Sequence, residues 1–336
     1  MPPARYLLAF AVAVAAGCGG SDTPDGPIPV DAEPIGADAY LKPLGAAVEP
    51  QHALEDSAYR ERLITRFTSV TPENGMKWAE IQPERGRFDF RAADAVVRFA
   101  RRTGKRVRGH PLVWDEQLPA WLEDRDWRPR ELRAVLRRHV RTVAGHYRGR
   151  VAEWDVVNEP LADDGRWERN VWYRTLGPSY VSIAFRAARR ADPGARLFLN
   201  EIGAERGRKS AALLVLAREL KRRGVPIDGV GFQHHTPGNA APSRARLRAL
   251  FRTTRRLGLA AAITELDVPD TEAGLQARVY GRVASACAAA PNCTGVTVWG
   301  VTDRWSWTGS DSEALPYDED GRPKPALETL LAPLRG

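Results

Sequence analysis

At 336 residues the chain has room for one large α/β domain or two ordinary ones. Hydrophobic residues at 43% and charged residues at 27% exclude wholesale disorder and require a globular core. The net charge of +8 comes almost wholly from arginine, since only six of the fifty basic residues are lysine. Those arginines (Arg98, Arg101, Arg102; Arg133, Arg137, Arg138, Arg141; Arg252, Arg255, Arg256) fall on helical faces and read as a solvated outer surface. No nucleic-acid motif accompanies them, so nucleic acid is set aside as a partner.

Residues 5–18 read RYLLAFAVAVAAGC, one arginine ahead of eleven apolar residues. That run is too short to span a bilayer and right for the core of a signal peptide. It ends Ala15-Ala16-Gly17-Cys18, which resembles a bacterial lipoprotein signal, although Ala15 stands where leucine is usual. The expectation is export, with residues 1–18 a signal peptide and Cys18 lipidated; plain cleavage and secretion is the alternative. Membrane contact is expected only through such an anchor. Residues 19–38 are rich in Gly, Pro and Asp without periodicity and read as a flexible linker. Residues 39–336 are expected to form one domain.

From residue 44 short apolar runs alternate with helical patterns. Candidate strands are 44–48, 66–70, 106–109, 152–157, 196–200, 229–233, 261–266 and 295–299. Amphipathic stretches lie at 90–102, 129–147, 179–191, 207–223, 243–257 and 272–290, and residues 324–334 supply a last helix. Strict β-then-α alternation implies a parallel sheet, and this many repeats fit a closed (β/α)8 barrel, the TIM barrel. An open doubly wound sheet would bring a Gly-rich phosphate loop after its first strand, and LGAAVEP is not one.

Active sites of such barrels occupy the carboxyl-terminal ends of the strands. Along that rim lie Glu73, Asn74, His110, Trp114, Asn158, Glu159, Gln233, His235, Glu265, Asp267 and Trp299. Any one of these could be structural; their joint occurrence at strand ends is hard to explain by packing. Glu159 and Glu265 face one another across the mouth, and glycosidic cleavage needs two carboxyl groups flanking the bond. Alternation puts Glu265 and Asp267 on one face, so His235 is expected between carboxylates, holding Glu265 ionised while Asp267 orients the ring. His234 should point away. Tryptophan is frequent, with ten residues, and rings gathered at the rim suit either core packing or stacking on sugars. Cys287 and Cys293 lack the further ligands of a zinc site; they form a local disulfide or remain buried thiols.

The segments TPENGMKWAEIQPERGRFDF (71–90), RGHPLVW (108–114), WDVVNEP (154–160), GFQHH (231–235), ITELDV (263–268) and VWGVTDRWSW (298–307) closely resemble glycoside hydrolase family 10, the retaining endo-β-1,4-xylanases. The resemblance implies that Glu159 is the acid/base, Glu265 the nucleophile, and xylan or xylo-oligosaccharide the substrate. Asn158, His110, Gln233 and His235 would line the subsite of the attacked sugar. Glu73, Asn74, Lys77, Gln117, Trp299 and Trp307 would hold the next sugar, with Gln117 and Trp307 walling out a hydroxymethyl group. It also implies a disulfide between Cys287 and Cys293 and no metal or other cofactor; a monomer is the expectation, though the sequence itself is silent on oligomeric state. Three departures stand out: Asp115 where the family usually has histidine, Asn200-Glu201-Ile202-Gly203 for Asn-Asp-Tyr-Asn, and Thr308 for a frequent arginine. They predict weaker grip on the leaving-group side. A β-glucan-cleaving relative and a non-catalytic sugar-binding protein are the competing readings.

Overall fold

The computed structural model describes residues 27–335. The expected signal peptide, Cys18 and residues 19–26 of the expected linker lie outside the described residues.

Eight strands follow in chain order: β1 (Leu44–Val48), β2 (Ser69–Pro72), β3 (Arg106–Gly109), β4 (Glu153–Asn158), β5 (Arg196–Glu201), β6 (Gly229–Phe232), β7 (Ala260–Leu266) and β8 (Cys293–Val298). Each pairs in parallel with the next, and Leu44 of β1 lies opposite Val296 of β8, so the sheet closes into a (β/α)8 barrel. Helices cross over between strands, as parallel pairing demands. Burial explains the apolar runs: β1 is buried at every position, its strand flanked by interior and helices alike. Among the described residues no helix is long and apolar enough to cross a membrane.

The second strand begins later than its sequence suggests. Residues 57–66 form a helix that buries Tyr59, Leu63 and Ile64, and this helix claims Arg66. Phe67 packs in the core at the joint, and Ser69 starts the strand.

The expected flexibility of residues 19–38 does not extend through their second half. Ile28 is 1% exposed, and its carbonyl accepts a 2.8 Å hydrogen bond from Arg102. Asp31 pairs with Arg60, and the Ile35 N–H donates to the Ile64 carbonyl at 3.1 Å. Low average hydrophobicity hid a few apolar side chains spaced to reach the barrel's outer layer.

Inside the barrel the walls are partly charged. Trp154 points out to the helices, where its indole N–H donates to Asp192 at 3.2 Å, so Glu153 and Asp155 on either side of it point in. There Arg108 bridges both carboxylates, donating to Glu153 at 2.6 Å and from Nε to Asp155 at 3.0 Å. Arg196 covers the other oxygen of Glu153 at 2.5 Å. Cys287 and Cys293 are joined by a disulfide that closes a short loop ahead of β8.

Candidate active site

Parallel pairing delivers the last residue of every strand to one mouth. β4 ends at Asn158, and Glu159 follows it with φ 51°, a left-handed backbone that few non-glycine residues adopt. Its carboxylate Oε1 accepts from Gln233 at 2.8 Å and from Asn158 at 3.1 Å. The Asn158 carbonyl oxygen in turn accepts from Asn200 at 2.8 Å and Gln233 at 3.1 Å, so three strands fix one amide network.

Glu265 sits inside β7 and is 4% exposed. Its Oε1 accepts from Asn200 at 2.6 Å, and its Oε2 lies 3.2 Å from His235 Nε2. His235 Nδ1 is 2.7 Å from Asp267 Oδ2. With a carboxylate against each ring nitrogen, both nitrogens donate and the ring is an imidazolium. Burial opposes that charge, but Asp267 and then Glu265 outweigh it and push the His235 pKa up to about 10. Burial likewise opposes ionisation of Glu265, yet His110 and His235 hold its carboxyl below the usual range. Glu265 is therefore a carboxylate at neutral pH. His110 approaches it at 3.8 Å and is anchored by Asp155 at 3.1 Å, so the interior charges reach up to the site.

This arrangement can do acid–base and nucleophilic work: one buried carboxylate held ionised, and a second carboxyl on a separate strand, held by amide donors. The profile of the family described as Glycosyl hydrolase family 10 matches residues 35–333. Endo-1,4-beta-xylanase A of Phanerodontia chrysosporium is 41% identical over 290 residues, covering 82% of this chain and 71% of that protein. The crystal structure of native xylanase 10B from Thermotoga maritima superposes with a TM-score of 0.84 at 37% identity, covering 88% of this chain and 95% of that one. Xylanase 10B from Thermotoga petrophila RKU-1, solved in complex with xylobiose, gives 0.83 at 36%, covering 88% and 94%. The chain belongs to glycosyl hydrolase family 10.

In this family 10 glycoside hydrolase the remaining expected site residues divide by place. Lys77 donates to Asn74 at 2.7 Å and its ammonium stands 5.2 Å above the Trp114 ring. Glu73 is buried at the same edge, where burial and then Glu49 push its carboxyl up. Trp299 meets His110 edge-on at 5.0 Å. Trp307 is 44% exposed, meets His235 at 4.9 Å and donates its indole N–H to Asp267 at 2.7 Å. Gln117 is apart from these: its side chain is exposed, and its tie to the segment is a backbone carbonyl accepting from Ala79. Trp78 and Trp154 belong to the core, Trp78 stacked on buried His139 at 3.5 Å. His234 is fully buried beside the site without reaching it through any hydrogen bond of its ring.

Several site residues escaped the reading of the rim. Glu49, directly after β1, accepts from both the backbone and side-chain nitrogens of Asn74 at 2.7 Å. The same strand-end rule points to it. Asn200, near the end of β5, bridges Asn158 and Glu265, and Thr264 donates to its side-chain Oδ1 at 2.8 Å. Asp155 and Arg108 sit within the family-like segments but carry no signal of their inward direction except alternation.

The departures are local. Asp115 is half-buried; burial and then the nearby Glu159 push its pKa up to about 7. Ile202 and Gly203 are half-buried just after β5, and Gly203 takes φ 65°. Thr308 joins a chain of hydroxyls with Ser306 and Ser312.

Proposed function

We propose that this chain is an exported, retaining endo-β-1,4-xylanase in which Glu159 is the acid/base and Glu265 the nucleophile. The observation that carries the reading is the contrast between the two carboxyls. Glu265 is buried, ionised and backed by His235, His110 and Asn200, while Glu159 is held by neutral amides. A group kept ionised suits attack on the anomeric carbon; one without a cationic hydrogen-bond partner suits holding a proton.

Glu159 protonates the leaving oxygen as a Glu265 carboxylate oxygen bonds the anomeric carbon. Water then displaces Glu265 from the glycosyl ester, giving its proton to Glu159, and the configuration is retained. Asn158 and Asn200, tied to one another, keep both carboxyls in register. The naming of the relatives as endo-1,4-beta-xylanases supports xylan as substrate, as does Trp307, which offers a face beside His235. The absent ring and amide at Ile202 and Gly203 support weaker hold on leaving-group sugars. Export rests on residues 5–18 and on a disulfide, a bond kept in oxidising compartments.

The test is reducing-sugar release from xylan and carboxymethyl cellulose by residues 27–336. Xylan alone should be cut, Glu265→Ala should abolish release, and Glu159→Ala should lower it by roughly 10²–10⁴-fold. The first-formed product should be the β-anomer by NMR. Release from cellulose instead would favour the glucan reading, and equal sugar binding with no release from either would favour a binding protein.

A further inference from the structure

Glu159 holds a strained backbone at φ 51°, a conformation that costs on the order of 1–3 kcal/mol and persists only where its surroundings enforce it. Pro160 follows and has no N–H to contribute. The restraint comes from β5. The Glu159 N–H donates to the Asn200 carbonyl at 2.9 Å, and the Leu161 N–H donates to Glu201 Oε2 at 3.1 Å. Glu201 is fully buried, and its Oε1 accepts from the Ile202 N–H at 3.1 Å and from Lys209 Nζ at 3.0 Å.

Lys209 lies on the helix Gly207–Arg222, 5% exposed, with the solvent-facing Asp163 at 3.5 Å as its other acid. Burial pushes the Glu201 carboxyl up and opposes the charge on Lys209, but at Lys209 the contact with Glu201 outweighs burial and holds its pKa above the usual value. A helix lysine usually snorkels to water, so one turned inward onto a strand-end carboxylate needs a reason. The carboxylate accepts from three donors, one of them the amide two residues beyond the acid/base.

The geometry points to Glu201 and Lys209 as positioning residues that hold the backbone of Glu159 where its carboxyl can deliver a proton to the leaving oxygen. This rests on the assignment of Glu159 as acid/base. Removing the ammonium strands a buried carboxylate, which loosens its grip on Leu161 and lets Glu159 relax from its left-handed conformation. A displacement near 1 Å of a reacting group costs on the order of 10²-fold in rate.

The experiment compares xylotetraose, whose leaving sugar needs a proton, with 2,4-dinitrophenyl β-xylobioside, whose leaving group does not. Lys209→Met is made alone and with Glu201→Gln; the double variant leaves no uncompensated buried charge and guards against misfolding. On xylotetraose both variants should lose about tenfold or more in kcat with KM within about twofold. On the aryl glycoside kcat/KM should stay within about threefold of wild type, because glycosylation there bypasses the acid. Equal losses on the two substrates, or no loss on xylotetraose, overturns the inference. A wild-type chain inactive on both substrates removes the assignment of Glu159, and this inference with it.

Discussion

Asp115 places an ionisable group beside Glu159, the proposed acid/base, at a position where the family resemblance leads to the expectation of a histidine. Glu159 there faces Asp115 and Glu116 from the loop after β3, Glu201 at the end of β5, and the ammonium groups of Lys77 and Lys209. Glu168 adds to the negative field on Asp115 and Glu116. Burial and Glu159 push Asp115 up to about 7, so its charge appears as pH rises through neutrality. A second negative charge then stands beside Glu159. Asp115→Asn keeps the shape of the side chain without its titration, so the part of the kcat/KM profile on xylan that changes between about pH 6 and pH 8 should flatten. Activity at pH 5, where Asp115 is already neutral, should change little. A profile with the same change over those pH values would show that the charge on Asp115 is too well screened to reach the site.

At the level of elements, β3 and β4 are locked by one close approach. A Cβ on Gly109 would lie 2.2 Å from the ring of Trp154, which is fully buried and tethered through Asp192. Gly109→Ala should therefore destabilise the fold by about 1–3 kcal/mol, read as a lower midpoint of thermal unfolding. It should also lower kcat, because the neighbouring His110 stands 3.8 Å from Glu265. The strands were legible because two-sided burial writes continuous apolar runs, and their order fixed which residues reach the mouth. Less legible were the short helices Pro50–Glu55, Ala120–Glu123 and Val171–Leu176, too brief to show a period. The rim rule found Glu159 and Glu265 but not Glu201 and Lys209. A lysine at a helical position reads as surface, and nothing in its residue type or spacing tells that it turns inward to a strand end. Asn200 was visible as a departure motif, yet its bridge to Asn158 and Glu265 depends on the β4–β5 register, with Asn158 opposite Asn200.

For the molecule as a whole, the segment before β1 packs on the outer helices, with contacts toward the end of the barrel opposite Glu159 and Glu265. Ile28 is held by Arg102, at the end of the helix that leads into the start of β3, and Ile35 by Ile64, near the end of the helix that leads into β2. Crossover helices run antiparallel to the strands, so both contacts lie at the amino-terminal ends of the barrel, away from Glu159 and Glu265. Stability and chemistry are thereby separated in space. A chain beginning at residue 39 loses the burial of Ile28, the hydrogen bonds to Arg102 and Ile64, and the Asp31 partner of Arg60. The loss should amount to about 2–4 kcal/mol relative to a chain beginning at residue 27. In a barrel of this size that lowers Tm by about 3–6 °C. Initial rates on xylan at 25 °C should agree between the two chains, since no site residue changes its partners. Calorimetry and rate assays on both chains test the separation together. Equal Tm values would show that residues 27–38 lie on the barrel without stabilising it, and a rate deficit at unchanged Tm would place their influence at the mouth instead.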